Sequence, residues 1–343
     1  MTSPLRDALL SWFDAAKRDL PWRRTRDPYA IWVSEVMLQQ TRVETVIPYW
    51  TRFLRDFPDA RALAEAPLDA VLARWAGLGY YRRARMLHAG AQAVVARHGG
   101  AVPADWDQLR ALPGVGDYTA GAIGSIAFGL PVPVVDGNVE RVLTRLHAMP
   151  GDPREAKTRR RVWSLARALA EGPRPGDLNQ ALMELGATVC APASPRCLVC
   201  PLRAWCAAAA EGAPERYPEK SPKKDVPREP WTALVATREG ALWLVPSATG
   251  RWQGMLVPPM ARGHEGDVDA RAAALSPDVP LSNARDAGSV THVLTHARME
   301  LRVITATLSS PPPRGELVAP AALDAKAVPK VTFRVLARAG FAG

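Results

Sequence analysis

The cysteines are the densest group of reactive side chains in this sequence. Cys190, Cys197, Cys200 and Cys206 follow the spacing C-x6-C-x2-C-x5-C, and the 343 residues contain no other cysteine. Four thiolates from one short loop can close around a single metal centre. Zinc is one candidate, although zinc modules more often pair two C-x2-C knuckles across a longer separation. A [4Fe–4S] cluster is the other candidate, and the spacing favours it.

Two carboxylates are candidates for acid–base chemistry. Glu35 lies within the largely apolar stretch 31–38, which should raise its pKa and keep it protonated near neutral pH. The alternative is a solvated glutamate on a helix face. Asp136 directly precedes a helical pattern over residues 137–146, which is the position of a helix N-cap. Capping alone would explain its presence.

A turn that contains two glycines offers a place for an anion. The sequence Leu112-Pro113-Gly114-Val115-Gly116 opens a helix that begins near residue 117. Glycines permit a tight turn, and they expose successive backbone N–H groups at a helix N-terminus, where anions bind. An ordinary connection between two helices could contain the same glycines. The Leu-Pro pair and the helix on each side resemble a helix–hairpin–helix clamp, which holds DNA phosphates without reading base sequence.

Helical spacing of apolar residues dominates the first 210 residues. Leu5, Leu9 and Phe13 mark one face of a first helix. Further helices are predicted over residues 30–40, 45–57, 68–76, 81–97, 106–112, 118–128, 137–146, 157–170 and 178–190. Strong strand-like alternation is absent from this part of the sequence. We therefore predict an all-α region that positions the carboxylates, the glycine turn and the cysteine loop.

The pattern changes after residue 210. Residues 211–230 carry five prolines among charged residues, a composition typical of an extended, exposed linker. Beyond it, short β-branched runs predict strands over residues 231–237, 241–246, 290–295, 301–308 and 331–336. The predicted organisation is a helical domain over 1–210, a linker over 211–230 and a smaller α+β domain over 231–343.

Composition and charge exclude several classes of protein. A hydrophobic content of 48% is too high for a mainly disordered chain. Cysteines confined to one loop do not suit a secreted disulfide scaffold. No apolar run approaches the ~20 residues of a membrane span, and charged residues interrupt any N-terminal secretory signal. The net charge of +10 suits non-specific attraction to polyanions. We expect a cytoplasmic protein.

Together these motifs resemble a known family. The cysteine loop, placed just after an all-helical region, is similar to the [4Fe–4S] loop of the endonuclease III superfamily of DNA glycosylases. A closer resemblance, to the adenine DNA glycosylase family (MutY), rests on LPWR at residues 20–23, SEVMLQQT at 34–41 and GLGYY at 77–81. It extends over about residues 5–210. That family removes adenine mispaired with 8-oxoguanine.

The resemblance implies roles for three side chains. Glu35 matches the family's catalytic acid, which protonates the departing adenine at N7. Asp136 matches the aspartate that stabilises the oxocarbenium-like sugar, so the pair follows the logic of glycoside hydrolysis. Tyr118 stands where relatives that cleave the strand carry a Schiff-base lysine. The resemblance therefore implies base excision without efficient strand cleavage.

The resemblance also implies contacts with DNA. Gln39, Gln40 and Tyr80 match residues that enter the duplex near the mispair, because the target base must leave the helix to be reached. The glycine turn, with Leu112, Gly114, Val115 and Gly116, matches the family's phosphate clamp. Residues around the extruded purine are matched by Trp22, Arg23 and Gln180.

The C-terminal region resembles the family's Nudix-related domain, which recognises 8-oxoguanine. WQGMLVP at residues 252–258 is similar to that domain's Trp/Gly/Pro-rich element, although a second aromatic residue is missing. The family's Phe-Ser-His loop corresponds to Leu294-Thr295-His296, where Thr295 keeps a hydroxyl group and the aromatic ring is lost. Thr295 and His296 are the expected contacts with the oxidised purine. A glutamate-rich hydrolase signature is absent, so nucleotide hydrolysis is not expected.

These implications describe a monomeric, monofunctional adenine DNA glycosylase. Its expected partner is double-stranded DNA that contains A:8-oxoguanine or A:G mispairs. One alternative is a DNA-binding iron–sulfur protein without catalytic activity, which would need only the glycine turn and the cysteines. Another is a pyrimidine-specific glycosylase of the same superfamily.

Overall fold

The computed structural model describes residues 4–219, 225–247, 250–294 and 296–341. The chain divides into two compact units. The first comprises Met1–Glu65 and Met86–Lys223, and the second comprises Ala66–Arg85 and Lys224–Gly343. The segment 66–85, which contains the GLGYY motif, therefore groups with the second unit.

Helices account for the regular structure before residue 211, and none of the described residues there forms a strand, as the sequence predicted. The helices are α1 (Pro4–Ala16), α2 (Pro28–Leu38), α3 (Val43–Asp56), α4 (Ala60–Glu65), α5 (Leu68–Trp75), α6 (Arg82–His98), α7 (Trp106–Arg110), α8 (Asp117–Phe128), α9 (Gly137–Leu146), α10 (Ala156–Ala170), α11 (Pro175–Thr188) and α12 (Ala207–Ala210). Short 3-10 turns occupy Pro21–Arg23, Cys197–Val199, Arg203–Trp205 and Pro214–Arg216. The sequence did not predict α4, a helix of six residues.

Two groups of helices form the core of the first unit. α2 packs on α3 and α8, and every residue from Tyr29 to Met37 is buried. α1, α9, α10 and α11 enclose a second apolar cluster, against which Cys190, Cys200 and Cys206 pack. α11 also packs on α8, so it joins the two groups.

The chain after α12 is less extended than the proline content suggested. Tyr217 is buried, and its backbone carbonyl accepts a hydrogen bond of 2.9 Å from Nε of Arg145. The Glu219 carboxylate accepts a bond of 2.8 Å from the backbone N–H of Gly151. Residues 211–219 are therefore packed on the first unit.

A mixed sheet forms the second unit. Its strands are β1 (Arg228–Arg238), β2 (Ala241–Pro246), β3 (Leu256–Val257), β4 (Met260–Arg262), β5 (Leu281–Val293), β6 (Arg298–Leu308) and β7 (Glu316–Val318). The order is β3-β2-β1-β6-β5, with β4 paired to β1 and β7 paired to β2. β1 and β6 are parallel, and the other pairs are antiparallel. Helices α13 (Val268–Leu275) and α14 (Lys330–Arg338) pack on separate apolar clusters of this sheet. The predicted α+β class is confirmed.

One predicted strand of this unit is wrong. Residues 331–336 belong to α14, although valine and threonine favour strands there. The buried residues are Val331, Thr332, Val335 and Leu336, whose spacing of one and four places them on one helical face. Packing of that face on the sheet outweighs local propensity. In the described part of the chain, no helix has the length and apolarity needed to span a membrane.

Candidate active site

Glu35 lies in the last two turns of α2, in the interior of the first unit. The helix begins at Pro28, and the side chain of its N-cap residue Asp27 accepts a bond of 3.0 Å from the N–H of Tyr29. Trp32 packs closely on Gly90, where a Cβ atom would lie only 2.6 Å from the indole ring. Such packing fixes the helix and leaves only 5% of Glu35 exposed.

The surroundings of Glu35 keep a proton available near neutral pH. Its pKa is raised to about 7, mainly by burial and also by the charge of Asp136. The Tyr118 hydroxyl, which donates a 2.5 Å bond to Oε2, and the charge of Arg23 act in the opposite direction. The predicted rise in pKa is confirmed. A carboxyl with such a pKa can act as a general acid.

Tyr118 is the hydroxyl partner of this carboxyl group. It stands in the first turn of α8, and burial together with the Glu35 charge raises its pKa well above the usual value. The phenol therefore remains protonated and serves as a hydrogen-bond donor. Its oxygen also lies 3.7 Å from Sδ of Met183, on α11.

Asp136 is held by backbone and side-chain bonds at the start of α9. Its Oδ1 accepts from the N–H groups of Asn138 (2.9 Å) and Val139 (2.8 Å), as an N-cap residue does. Nδ2 of Asn138 donates to Oδ2 over 2.8 Å. The N-cap prediction is confirmed. The capping bonds also give the carboxylate a fixed orientation.

The extended segment that leads to Asp136 is held against α8 and α11. The amide of Asn179, on α11, donates to the Val132 carbonyl (2.8 Å) and accepts from the Val134 N–H (3.2 Å). Gly121 of α8 approaches the same segment so closely that a Cβ atom would lie 2.2 Å from the Pro133 carbonyl oxygen. These contacts set the position of Asp136 in the fold.

A buried ion-pair network contains one of the predicted pocket residues. Arg23 donates to Oε2 of Glu184 over 2.8 Å, and Nε of Arg18 donates to Oε1 over 2.7 Å. The Glu184 side chain has no exposed surface, and the two guanidinium groups overcome the effect of its burial and lower its pKa to about 2. The network fixes the head group of Arg23.

The other predicted pocket residues are also buried. Trp22 packs edge-on against Trp50, with ring centroids 6.0 Å apart. Gln180 is 8% exposed and lies one helical turn before Glu184 on α11. The structure therefore brings Tyr118 and Arg23 close enough to Glu35 to influence its pKa. Trp22 precedes Arg23 in the sequence, and Gln180 lies one turn before Glu184 on α11.

The glycine turn joins α7 to α8 as predicted. Gly114 has a φ of +77°, and a Cβ atom there would lie 2.5 Å from Cβ of Met86, so glycine is required for both conformation and space. Gly116 is the N-cap of α8 and has nothing within 4 Å of its Cβ direction. The Leu112 and Val115 side chains are buried, so only their backbone could meet a phosphate.

The predicted DNA contacts are distributed over both units. Gln39 ends α2, and its Nε2 lies 3.4 Å from Oγ1 of Thr119. Gln40 is exposed and has a φ of +58°. Tyr80, in the second unit, is 47% exposed with a φ of +49°, and the Arg83 guanidinium lies 5.5 Å from its ring centroid.

The predicted lesion contacts belong to the second unit. His296 is exposed, and its Nε2 accepts a 2.9 Å bond from Nε of Arg251. Arg251 is itself held by Glu229, with contacts of 2.8 and 3.0 Å. Thr295 lies outside the described residues.

All four cysteines line one cavity beside α9. None forms a disulfide, and each is partly buried. Arg145 donates to the carbonyls of Ala191 (2.7 Å) and Pro192 (2.8 Å), and its Nη1 lies 3.4 Å from Sγ of Cys190. Within the described residues, no group of three or more His, Cys, Asp and Glu side chains forms a site for a single metal ion. A four-thiol donor set around one cavity suits a cluster ligated by cysteines.

Sequence reasoning missed the buried charges that support this site. Glu184 had a usable signal, because it follows Gln180 by four residues within an otherwise apolar stretch of α11. Arg141 had none among so many arginines. It is 9% exposed and donates to Oδ1 of Asn138 (2.9 Å) and to the Cys190 carbonyl (2.8 Å), so it links the start of α9 to the cysteine loop.

Comparison with known proteins agrees with the fold of the helical region. Residues 33–168 match the family described as HhH-GPD superfamily base excision DNA repair protein. A thermostable thymine-DNA glycosylase has a similar structure, with a TM-score of 0.56 and 30% identity over 60% of this chain and 95% of that one. Endonuclease III in a non-covalent DNA complex gives 0.51 and 25%, over 62% of this chain and 99% of that one.

Two relatives in sequence carry the same name. The human adenine DNA glycosylase is 53% identical over 212 residues, which are 59% of this chain and 39% of the human protein. The adenine DNA glycosylase of Buchnera aphidicola subsp. Acyrthosiphon pisum is 36% identical over 237 residues, which are 69% of this chain and 68% of that protein. The chain thus spans less than half the length of the human relative. By its sequence and by the helical fold that carries its paired carboxylates, the chain belongs to the adenine DNA glycosylase (MutY) family.

Proposed function

We propose that this protein is a monofunctional DNA glycosylase that hydrolyses the N-glycosidic bond of adenine mispaired with 8-oxoguanine or guanine. The observation that carries the proposal is the buried Glu35 carboxyl, whose pKa of about 7 allows it to deliver a proton at neutral pH. Adenine is a poor leaving group until its N7 is protonated. Glu35 supplies that proton as general acid, and the neutral Tyr118 hydroxyl orients its carboxyl group.

Asp136 serves as the second carboxylate. As the bond to adenine breaks, positive charge develops on the sugar, and a fixed anion nearby stabilises it. The three bonds from Asn138 and Val139 hold this carboxylate, so little reorganisation is needed when the charge appears. After adenine departs, Glu35 is left as a carboxylate and can accept a proton from the attacking water, as in glycoside hydrolysis.

Strand cleavage is not part of the proposed reaction. Tyr118 occupies the position where a Schiff-base lysine would stand, and a phenol cannot form an imine with the sugar. The product is therefore an abasic site in an intact strand. Reduction with borohydride should trap no covalent protein–DNA adduct from the wild-type protein.

The proposed contacts with DNA involve its phosphate backbone and the extruded base. The glycine turn offers the N-terminus of α8, whose first N–H groups lack a side-chain cap, to a phosphate. Trp22, Arg23 and Gln180 bound the pocket for the flipped adenine. Gln39, Gln40 and Tyr80 fill the space that adenine leaves in the duplex.

The C-terminal unit recognises the opposite base in this proposal. Thr295 and His296 are its proposed contacts with the oxidised purine. Because Nε2 of His296 accepts a bond from Arg251, Nδ1–H is the donor that remains for the base. The helical domain over 1–210, the linker over 211–230 and the domain over 231–343 remain the proposed functional division. We further propose a monomer that acts at the DNA in the cytoplasm.

The cysteine loop is proposed to hold a [4Fe–4S] cluster. Cys190, Cys197, Cys200 and Cys206 would be its ligands, and the cluster would supply structural rigidity to a loop that Arg145 already anchors to α9. The purified protein should contain iron and sulfide in equal amounts and absorb visible light. Stoichiometric zinc in their place would identify a zinc site instead.

The central experiment measures free bases released from four duplexes, with A:8-oxoguanine, A:G, T:G or A:T at one position. Wild-type protein should release adenine from the first two, and Glu35→Gln should release none. Glu44→Gln, on the neighbouring helix α3 and exposed, is the matched control and should keep full activity. Release of thymine in preference to adenine would support the pyrimidine-specific alternative. Tight binding without release of any base would support the non-catalytic one.

A further inference from the structure

Helix α10 carries a basic face that the proposed catalytic machinery does not use. Its sequence, AKTRRRVWSLARALA, contains one lysine and four arginines and no acidic residue. The side chains of Lys157, Arg159, Arg160, Arg161 and Arg167 are all exposed. None of the ion pairs in the described part of the chain includes any of them.

The opposite side of the same helix is firmly anchored. Val162, Ala166 and Ala170 are buried, and α10 packs on α9 and α11. The orientation of the helix is therefore set by the core of the first unit. The basic side chains therefore project from a backbone that the core holds in place.

The basic side chains enclose a shallow groove. Arg159, Arg160, Trp163, Ser164 and Arg167 line a surface cavity of about 280 Å³. Their spacing of one, four, five and eight residues places them on one side of the helix. Trp163 is partly exposed and adds an indole N–H donor, and Ser164 adds a hydroxyl. The groove thus combines three positive charges with two residues that carry neutral donor groups, a composition that suits phosphate oxygens.

The charges at the start of the helix are unfavourable for the helix itself. Lys157 and Arg159 lie in the first turn, where the helix dipole disfavours cations, whereas Arg167 in the last turn is favourably placed. Lys157 and Arg161 are four residues apart, so their like charges repel along the helix surface. A solvated helix that served only to cover the core would gain stability from acidic residues at these positions. The arrangement is explained if a polyanion binds there.

We propose that this face of α10 binds the phosphate backbone of duplex DNA, as a second contact separate from the proposed adenine pocket. None of its groove residues belongs to the group around Glu35 and Asp136. From Lys157 to Arg167 the helix rises about 15 Å, a length over which duplex DNA carries several phosphates. The contact is independent of base sequence, because only phosphates are reached. This inference rests on the proposed function in taking duplex DNA as the ligand.

Salt-dependent binding to a long duplex that contains no lesion tests the inference. Each phosphate neutralised contributes about 0.9 to the slope of log K against log salt concentration. The triple variant Arg159→Ala/Arg160→Ala/Arg167→Ala should therefore lose up to about 2.7 from the wild-type slope. Arg159→Lys/Arg160→Lys/Arg167→Lys keeps the charge and should restore most of the slope. Circular dichroism of each variant verifies the fold.

A charge-matched control separates a local contact from net charge. Arg52→Ala/Arg97→Ala/Arg285→Ala removes three exposed arginines elsewhere and should keep the wild-type slope. An equal loss of slope in both alanine triples would overturn the proposal. An unchanged slope in the α10 alanine variant would also overturn the proposal. The groove would then be better suited to an acidic segment of a protein.

Single-turnover excision from a short A:8-oxoguanine duplex distinguishes the inference from the proposed function. The α10 triple variant should excise adenine from this duplex at the wild-type rate, because the proposed adenine pocket is intact. Loss of excision in that variant with normal folding would contradict a separate contact. Failure of the wild-type protein to excise adenine would refute the proposed function, while the salt slopes would still report on the groove.

Discussion

Replacing Glu35 by glutamine should stabilise the protein at neutral and alkaline pH. The folded-state pKa of Glu35 is about 7, against 4.5 for the free side chain. Between these values the folded protein holds a proton that the unfolded chain has lost. The free energy of unfolding of the wild-type protein therefore falls as the pH rises through this interval, and it levels off above it. Glutamine is neutral throughout, so the variant escapes this loss, and its amide oxygen can still accept the Tyr118 bond.

The expected gain follows from the size of the shift. A difference of about 2.5 pKa units, at 1.36 kcal/mol each, corresponds to about 3 kcal/mol of stability. Glu35→Gln should match the wild-type protein near pH 4.5 and exceed it by up to this amount at pH 8. The same substitution removes the proposed acid, so stability and activity should change in opposite directions.

Urea unfolding at several pH values, followed by far-ultraviolet circular dichroism, measures this difference in the helical unit. Glu184→Gln is the matched control, because Glu184 is equally buried but its pKa is lowered to about 2 by Arg18 and Arg23. Loss of that carboxylate leaves the largely buried Arg23 guanidinium without its ion-pair partner, so the control should lose roughly 3 kcal/mol at neutral pH.

A pH-independent difference between Glu35→Gln and the wild-type protein would refute the reasoning. Such a result would mean that Glu35 ionises in the folded state at its ordinary pKa. A loss of stability in Glu35→Gln that grows with rising pH would contradict it as well, since it would require the carboxylate to be the favoured form.

Three further outcomes follow from the same contacts. Tyr118→Phe removes a hydrogen bond that lowers the pKa of Glu35. A hydrogen bond to a charged group contributes roughly 1.5 kcal/mol, so the alkaline limb of the pH profile of single-turnover excision should move to higher pH by about one unit. A shift to lower pH would contradict this. Gly186→Ala would place a Cβ atom 2.5 Å from Cβ of Asn138, which holds Asp136. Displacement of Asn138 should slow excision by at least tenfold, roughly 1.4 kcal/mol in the activation barrier. An unchanged rate would show that the position of Asp136 does not depend on this contact. Cys200→Ser should abolish the visible absorbance and most of the bound iron, whereas retention of both would exclude Cys200 as a ligand.

The motifs with local chemistry were predictable from sequence. The apolar neighbours of Glu35 already implied its raised pKa, because a helix that is hydrophobic on every side must be buried. The position of Asp136 before a helical pattern implied its capping bonds. Gly114 was recognisable as a turn residue because glycine readily adopts the left-handed backbone, whereas the close approach of Met86 was visible only in the structure. The all-α and α+β halves followed from hydrophobic periodicity.

Other features depend on residues that are distant in sequence and were decided by packing. The helix over 330–338 looks like a strand locally, and only the sheet beneath it selects the helical face. The pairing of Glu184 with Arg18 spans 166 positions, and no local pattern predicts which arginine will meet which carboxylate. The link from Asn138 through Arg141 to Cys190 is of the same kind.

The sequence by itself therefore determined which groups are present and which local conformations they favour, since propensity, periodicity and glycine sterics act over a few residues. The tertiary structure alone decided that Tyr118 would meet Glu35 across 83 positions and that Arg145 would anchor the cysteine loop to α9. It also decided that the charges of α10 would face outward. The physical reason is that pKa values, ion pairs and charged surfaces depend on distance and solvent exposure, which exist only once the chain has folded.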